Sequence, residues 1–285
     1  MGNEKTNIQG AVKVQDKEGR QYHIGLAPGE VAPYIVVVGD QNRAAKAAKF
    51  LDSVRIEQKN REFYSFTGEY KETPMTILST GIGTDNVEIV MIELAQIIQN
   101  HTIIRVGSCG SLQPNIEIAD FIISTGAVRL ENTSLFFVDE GYPAIAHYEV
   151  ILALSEACEQ LKLPYHVGLT ASASGFYGAQ GRNIPGFPLK YPDLQEKLRD
   201  RNVLNFEMES STLFTLGTLQ GIRTGTICTV YANRAKNQFI TTDQKQKAEK
   251  NCIQAGLEAC RLLSQMDKLK ESRKIQNWLP SLNLT

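Results

Sequence analysis

The chain of 285 residues carries 30 Lys and Arg against 31 Asp and Glu, with 42% hydrophobic residues. So even a balance creates no general field to attract nucleic acid or an anionic membrane, and any anion site must be built from a few placed arginines. The length allows one large α/β domain or two smaller ones, either with room for a sizeable core.

In chain order, residues 1–20 are polar and charged, without the apolar core of a signal peptide, and read as an N-terminal extension. "YIVVVG" is a strand, followed by the helical "QNRAAKAAKFLD". "KNREFYSF" contains a strand-like segment that Arg61 starts. "MTILSTGIG" is a further strand, and "DNVEIVMIELAQIIQ" a helix in which Val87, Val90, Met91, Leu94 and Ile98 recur at helical spacing. Asp85 or Asn86 is the expected cap of that helix. "HTIIRVGSCGSL" and "DFIISTGAVR" are strands, then comes a helix around Tyr148 to Leu161. "HVGLTASAS", "VLNFEME" and "RTGTICTVYANR" add three strands, with "SSTLFTLGTLQ" a helix between the last two. A long helix is expected from about Thr242 to Lys274, with a C-terminal tail counted from about residue 265 and "IQNWLPSLNLT" docked or loose. Near-continuous apolar strands such as "YIVVV" require a sheet covered on both faces, and no repeat or linker divides the chain. One α/β domain spanning residues 1–285 is therefore expected.

Five cysteines, at 109, 158, 228, 252 and 260, form no CxxC pair and fit reduced thiols in a cytoplasmic protein. The four histidines show no ligand spacing, so no metal is expected. No apolar run approaches the ~18 residues of a membrane span.

Several strands end in glycine with a polar or charged neighbour: "VVVGDQNR", "STGIG" and "RVGSCGS". In open α/β sheets ligands sit beyond such carboxyl ends, and Arg43 and Arg105 are placed to grip phosphate there. "GIGTDN" departs from GxGxxG and no Walker lysine follows, which argues against a dinucleotide or a nucleoside triphosphate. "FYGAQGR" offers Phe176 to stack on a planar heterocycle, with Gln180 and Arg182 to read its polar edge. "NFEMESST" sets Glu207 and Glu209 two residues apart, so they share a face only if the backbone is extended.

These stretches, in this order, resemble the uridine phosphorylases of the nucleoside phosphorylase superfamily. The motifs are "GDQNR", "REF", "STGIG", "RVGSCG", "FYGAQGR" and "EMES", and the likeness runs from about Tyr22 to Arg261. It implies a single three-layer α/β domain, with a central mixed, partly barrel-like sheet flanked by helices. It further implies reversible phosphorolysis of uridine to uracil and ribose 1-phosphate, with inorganic phosphate as co-substrate and no cofactor. Phosphate would be held by Gly39, Arg43, Arg105 and Ser108, with Arg61 supplied by a neighbouring subunit. His23 would likewise cross a dimer contact to the ribose 5′-hydroxyl. Glu209, with Met208 and adjacent Glu207, would hold the 2′- and 3′-hydroxyls, and Phe176, Gln180 and Arg182 the base. Arg43, Arg105, Arg182 and Glu209 would carry the catalysis. The implied assembly is a homo-oligomer with shared sites, the family's usual hexamer, serving pyrimidine salvage in the cytoplasm.

The chain departs from that pattern at Val38, Cys109, Gly181, Tyr231 and Ala232, the last two standing where relatives place aliphatic residues beside uracil. Some relatives bind a monovalent cation at positions matching Glu62, Ile82 and Asn86, but Asn86 replaces a serine and no metal is expected. Purine-specific relatives carry an acid after the last core strand; "VYANR" has none there, which favours pyrimidines over a purine phosphorylase, and the arginine set argues against a nucleosidase that uses water. The retained charged positions weigh against a silent nucleoside-binding protein.

Overall fold

In a computed structural model, residue 8 and residues 10–280 are described. The elements run β1 (Tyr34–Val38), α1 (Gln41–Ala48), β2 (Ser53–Asn60), β3 (Phe63–Tyr70), β4 (Thr73–Ser79), α2 (Thr84–Ile97), β5 (Thr102–Ser111) and β6 (Phe121–Leu130). They continue β7 (Ala144–Ile145), α3 (Tyr148–Gln160), β8 (Tyr165–Ala173), α4 (Leu194–Asp200), β9 (Asn205–Glu207), α5 (Ser210–Gln220), β10 (Arg223–Asn233), β11 (Gln238–Phe239) and α6 (Thr242–Arg273).

One mixed sheet connects every strand. β10 pairs with both β5 and β6, and β6–β8–β9–β5 completes the circuit, so five strands close into a barrel. Beyond β5 the sheet continues open as β1, β4, β3 and β2. Strand β1 explains the two covered faces. Tyr34, Val36 and Val38 pack into a core shared with α1, α3 and α6, through Ala44, Leu154 and Leu257 among others. Ile35 and Val37, on the opposite face, join Val90, Met91 and Leu94 of α2 and Leu213 and Phe214 of α5. Each such side chain contributes roughly 1.5–3 kcal/mol by leaving water. That sandwich of helices about a barrel-like sheet is the expected three-layer fold.

Some local expectations change. Helix α2 is capped at Gly83 rather than by Asp85 or Asn86. Gly83 takes a φ of 94°, open to glycine, and its N–H donates to Glu209 across the site. Asp85 instead accepts from the Thr133 hydroxyl, and the Asn86 amide donates to the Ile82 carbonyl. Arg61 does not start a strand. It sits in the β2–β3 turn with a φ of 52°. Strand β2 and the short helix α4 went unforeseen; "SVRIEQKN" is a largely exposed edge strand whose apolar alternation stops after Val54 and Ile56.

Helix α6 begins with a capping box between Thr241 and Gln244. Beyond it the tail docks: the Trp278 N–H donates to Glu149 at 3.0 Å and the Tyr148 hydroxyl donates to the Trp278 carbonyl at 3.1 Å. Residues 281–285 of the expected tail, and 1–7 and 9 of the expected extension, lie outside the described residues. From Val14 onward the extension is tied down, by the Tyr22 N–H to the Val14 carbonyl and by the Arg20–Glu30 ion pair at 2.8 Å. No helix among the described residues is long and apolar enough to cross a membrane.

Candidate active site

The carboxyl ends of β1, β4, β5 and β9 converge, with β10, on a cavity of about 290 Å³. At its centre is an ion pair. Arg105, buried on β5, donates through Nη2 to Oε2 of Glu209, and its Nη1 lies 3.3 Å from the Cys228 sulfur. Burial opposes the charge on Arg105, but Glu209, Cys228 and Glu207 outweigh it and hold the guanidinium protonated. The other Glu209 oxygen accepts from the Gly83 N–H at 2.9 Å.

Glu207 does a different job from its neighbour two residues on. Its Oε2 accepts the N–H groups of Glu209 and Ser210, both at 2.9 Å, and its Oε1 accepts from the Ser172 hydroxyl. The acid therefore satisfies the exposed donors at the start of α5, where the helix dipole also favours negative charge. Burial is the largest influence on its carboxyl and Glu209's charge adds to it, so Glu207 is pushed upward despite Arg105. The strand ends at Glu207, and Glu209, with ψ of −29°, turns into the helix. Both carboxylates line the cavity and lie near Arg105, 3.9 Å from Glu207, but Glu207 is committed to the start of α5 while Glu209 holds the guanidinium.

A second cluster surrounds Arg43. Asp40 caps α1 by accepting from the Asn42 N–H, and this places Arg43, in the helix's first turn, beside Gly39, Ser108 and Cys109 on the cavity wall. Arg43 Nε lies 3.2 Å from Glu249, and its Nη2 donates to the Tyr231 hydroxyl at 3.4 Å. Lys46 reaches the other Glu249 oxygen at 2.6 Å. Burial opposes the charge here too, and Tyr231 and Glu249 overcome it, so Arg43 stays charged. The Cys109 thiol is pushed well above its usual range by burial and has no thiolate character for nucleophilic attack.

The third cluster is the 176–182 loop. The Arg182 guanidinium stacks 3.8 Å from the Phe176 ring centre and donates to Gln180 Oε1 at 2.6 Å. Burial lowers the pKa of Arg182. Arg234, just past β10, donates to the Gln180 carbonyl at 2.6 Å and covers the Phe206 ring at 5.5 Å. Burial, and then Arg182's charge, bring Arg234 down to about 10, which leaves it cationic at neutral pH. Gly181 has a φ of 68°, so the tight turn between Gln180 and Arg182 is one that glycine accommodates. Phe206, Met208, Ala232, Ile82 and Phe239 supply the apolar remainder of the wall.

His23 and Arg61 are not brought to this cavity within one chain. His23 Nδ1 is 2.6 Å from the buried Glu93, whose oxygens also accept the His23 and Ile24 N–H groups. Arg61 is exposed, its guanidinium 4.8 Å above the Tyr22 ring and donating to the Tyr22 hydroxyl at 2.7 Å. Glu249 and Arg234 were missed by sequence reasoning. Glu249 sits in the charged first turns of α6, and nothing local distinguishes it from the solvated residues around it.

The sequence matches the phosphorylase superfamily over residues 33–266. The chain belongs to that superfamily. It is 44% identical to the uridine phosphorylase of Thermococcus kodakarensis, over 95% of this chain and 97% of that protein. It is 33% identical to the uridine phosphorylase of Escherichia coli, over 85% of this chain and 97% of that one. Its fold superposes on the Trypanosoma brucei nucleoside phosphorylase, described as showing uridine phosphorylase activity, with a TM-score of 0.81. That superposition has 28% identity and covers 86% of this chain and 98% of the other. The superfamily's likeness also accounts for the closed five-strand barrel and its outer strands.

Proposed function

We propose that this chain is a uridine phosphorylase, a pentosyltransferase that converts uridine and inorganic phosphate reversibly to uracil and ribose 1-phosphate. The carrying observation is the buried Arg105–Glu209 pair, flanked in one cavity by Arg43 and by the Phe176–Gln180–Arg182 cluster. A cation for an oxyanion and an acid for sugar hydroxyls stand side by side, with a planar-ring platform sharing the same wall.

In this reading Gly39, Arg43, Arg105 and Ser108 bind phosphate. Arg105 has five N–H donors and can keep Glu209 while offering others to the anion. Glu209, with Met208, accepts from the 2′- and 3′-hydroxyls, and its charge favours the oxocarbenium character that develops as the C1′–N1 bond breaks. Glu207 supports this acid by fixing the start of α5. The leaving uracil takes the bonding electron pair, and Gln180 and Arg182 stabilise the charge on its oxygens and N3 while Phe176 packs on the ring. A phosphate oxygen then bonds C1′. No protein nucleophile and no cofactor enter this scheme, and positioning alone can supply ~7–11 kcal/mol. Asn233 turns its amide to the Gln113 and Ile116 carbonyls, and the motif places no acid there for purine N7, which supports a pyrimidine substrate.

His23 and Arg61 complete the site from a second copy, Arg61 at phosphate and His23 at the 5′-hydroxyl. The half-buried His23 and exposed Arg61 lie on either side of the Tyr22 ring, which supports such a contact. The assembly we favour is a hexamer built of such dimers, acting in cytoplasmic pyrimidine salvage. The test is uridine absorbance followed with and without phosphate, with inosine in parallel. Loss of uridine only with phosphate is expected. Equal rates without phosphate, or a preference for inosine, refute the reading.

A further inference from the structure

Strand β10 carries one more residue than its neighbour at the cavity. Val230 pairs with Cys109 and Ala232 with Gly110, so Tyr231 is the extra residue of a β-bulge. A bulge re-aims the side chain it inserts. Here the ring lines the cavity and the hydroxyl arrives between two charges: it accepts from Arg43 Nη2 at 3.4 Å and donates to Glu249 Oε2 at 3.3 Å. Burial is the main cause that pushes the phenol well above its usual range, and it therefore holds its proton across the working pH range.

Both hydrogen bonds are long, and Glu249 is already served by Lys46 at 2.6 Å and by Arg43 Nε at 3.2 Å. The Tyr231 proton is thus a weakly committed donor beside Arg43. An oxyanion bound to Arg43 would offer it a stronger acceptor, since hydrogen bonds to ionised acceptors exceed neutral ones. We propose that Tyr231 is a further phosphate-site residue, rotating its hydroxyl proton from Glu249 to a phosphate oxygen when the anion binds Arg43. This assigns the tyrosine to the nucleophile rather than to the base, the side on which the family's aliphatic residues stand at this position. The proposal rests on the reading of Arg43 as a phosphate ligand.

Tyr231→Phe removes the hydroxyl and keeps the ring. Loss of one charge-assisted hydrogen bond predicts about a tenfold rise in KM for phosphate, with KM for uridine unchanged. Inorganic phosphate alone should also protect the variant from thermal unfolding only at about tenfold higher concentration than it protects the wild type. A tyrosine serving only to pack the wall would leave both phosphate readouts at wild-type values, and that result overturns the proposal. A rise in KM for uridine with phosphate unaffected overturns it as well and returns Tyr231 to the base pocket. The protection measurement needs no nucleoside. If wild-type protein is phosphate-protected but does not turn over uridine, the catalytic reading fails while the tyrosine is still judged. If phosphate does not protect the wild type, the tyrosine proposal falls, while the catalytic reading is still judged by phosphate-dependent loss of uridine.

Discussion

Gly107 is where a single methyl group should disable the site. It lies two residues beyond Arg105 on β5, on the same face, and the Arg105 side chain lies across it. Its φ is not in the left-handed region, so the demand for glycine here is one of space. A Cβ on Gly107 would fall inside Arg105 Nη1 and come within 2.7 Å of Cζ and 2.9 Å of the Cys228 sulfur. The guanidinium has to leave, and because it is buried and paired to Glu209, leaving is costly. If Arg105 binds phosphate as proposed, Gly107→Ala should remove its charge-assisted bonds to the anion. At ~1.5–3 kcal/mol each, two such bonds amount to about 3–6 kcal/mol, a fall of roughly a hundredfold to ten-thousandfold in kcat/KM. Glu209 and Glu207 would also lose their buried counter-ion, costing about 3–5 kcal/mol of stability, or roughly 10 °C in Tm. Steady-state uridine phosphorolysis and a thermal melt measure both. Gly110→Ala is the control: its added methyl would meet Arg234 Cδ at 3.3 Å and Ala232 at 3.9 Å, contacts that a small shift relieves. A folded Gly107→Ala protein with wild-type kcat/KM would refute the placement of Arg105.

Three further outcomes are expected. His101 is buried, neither ring nitrogen has a hydrogen-bond partner, and burial lowers its pKa to about 4. The unfolded chain protonates it near 6.5 and the folded chain does not, so stability is intact above that pH, falls from about 6.5 to 4 and then levels off, a loss of about 3 kcal/mol. Denaturant unfolding of His101→Leu against wild type across that range should show the mutant sparing that share of the acid loss, and parallel curves would exclude it. Arg234→Ala frees the Gln180 carbonyl and loosens the base loop, so KM for uridine should rise about tenfold with KM for phosphate unchanged; the reverse split would contradict the assignment. Arg61→Ala and Glu209→Gln should each be nearly inactive, yet unfolding and refolding them together should restore up to about a quarter of wild-type activity. That follows because half the dimers formed would be mixed, each with one intact shared site. No recovery would show that Arg61 does not serve a partner.

The unbroken apolar run of Tyr34 to Val38 and the helically spaced apolar face of α2 were readable directly, because burial on both faces leaves a continuous apolar run and burial on one leaves a period. The loops became legible only in combination, through the resemblance their order carries, and Arg43, Arg105, Phe176, Gln180, Arg182 and Glu209 do line a common cavity. The edge strand β2 left little such pattern, since an exposed strand needs no apolar period. Nor could spacing alone tell Glu207 from Glu209. The chain turns between them into α5, so Glu207 accepts the first N–H groups of that helix while Glu209 takes the direct hydrogen bond from Arg105. The bulge at Tyr231 and the reach of Glu249 from α6 depend on how β10 registers against β5 and where the last helix docks. Such partnerships join residues far apart in the chain, and distance in space is settled by packing, not by order.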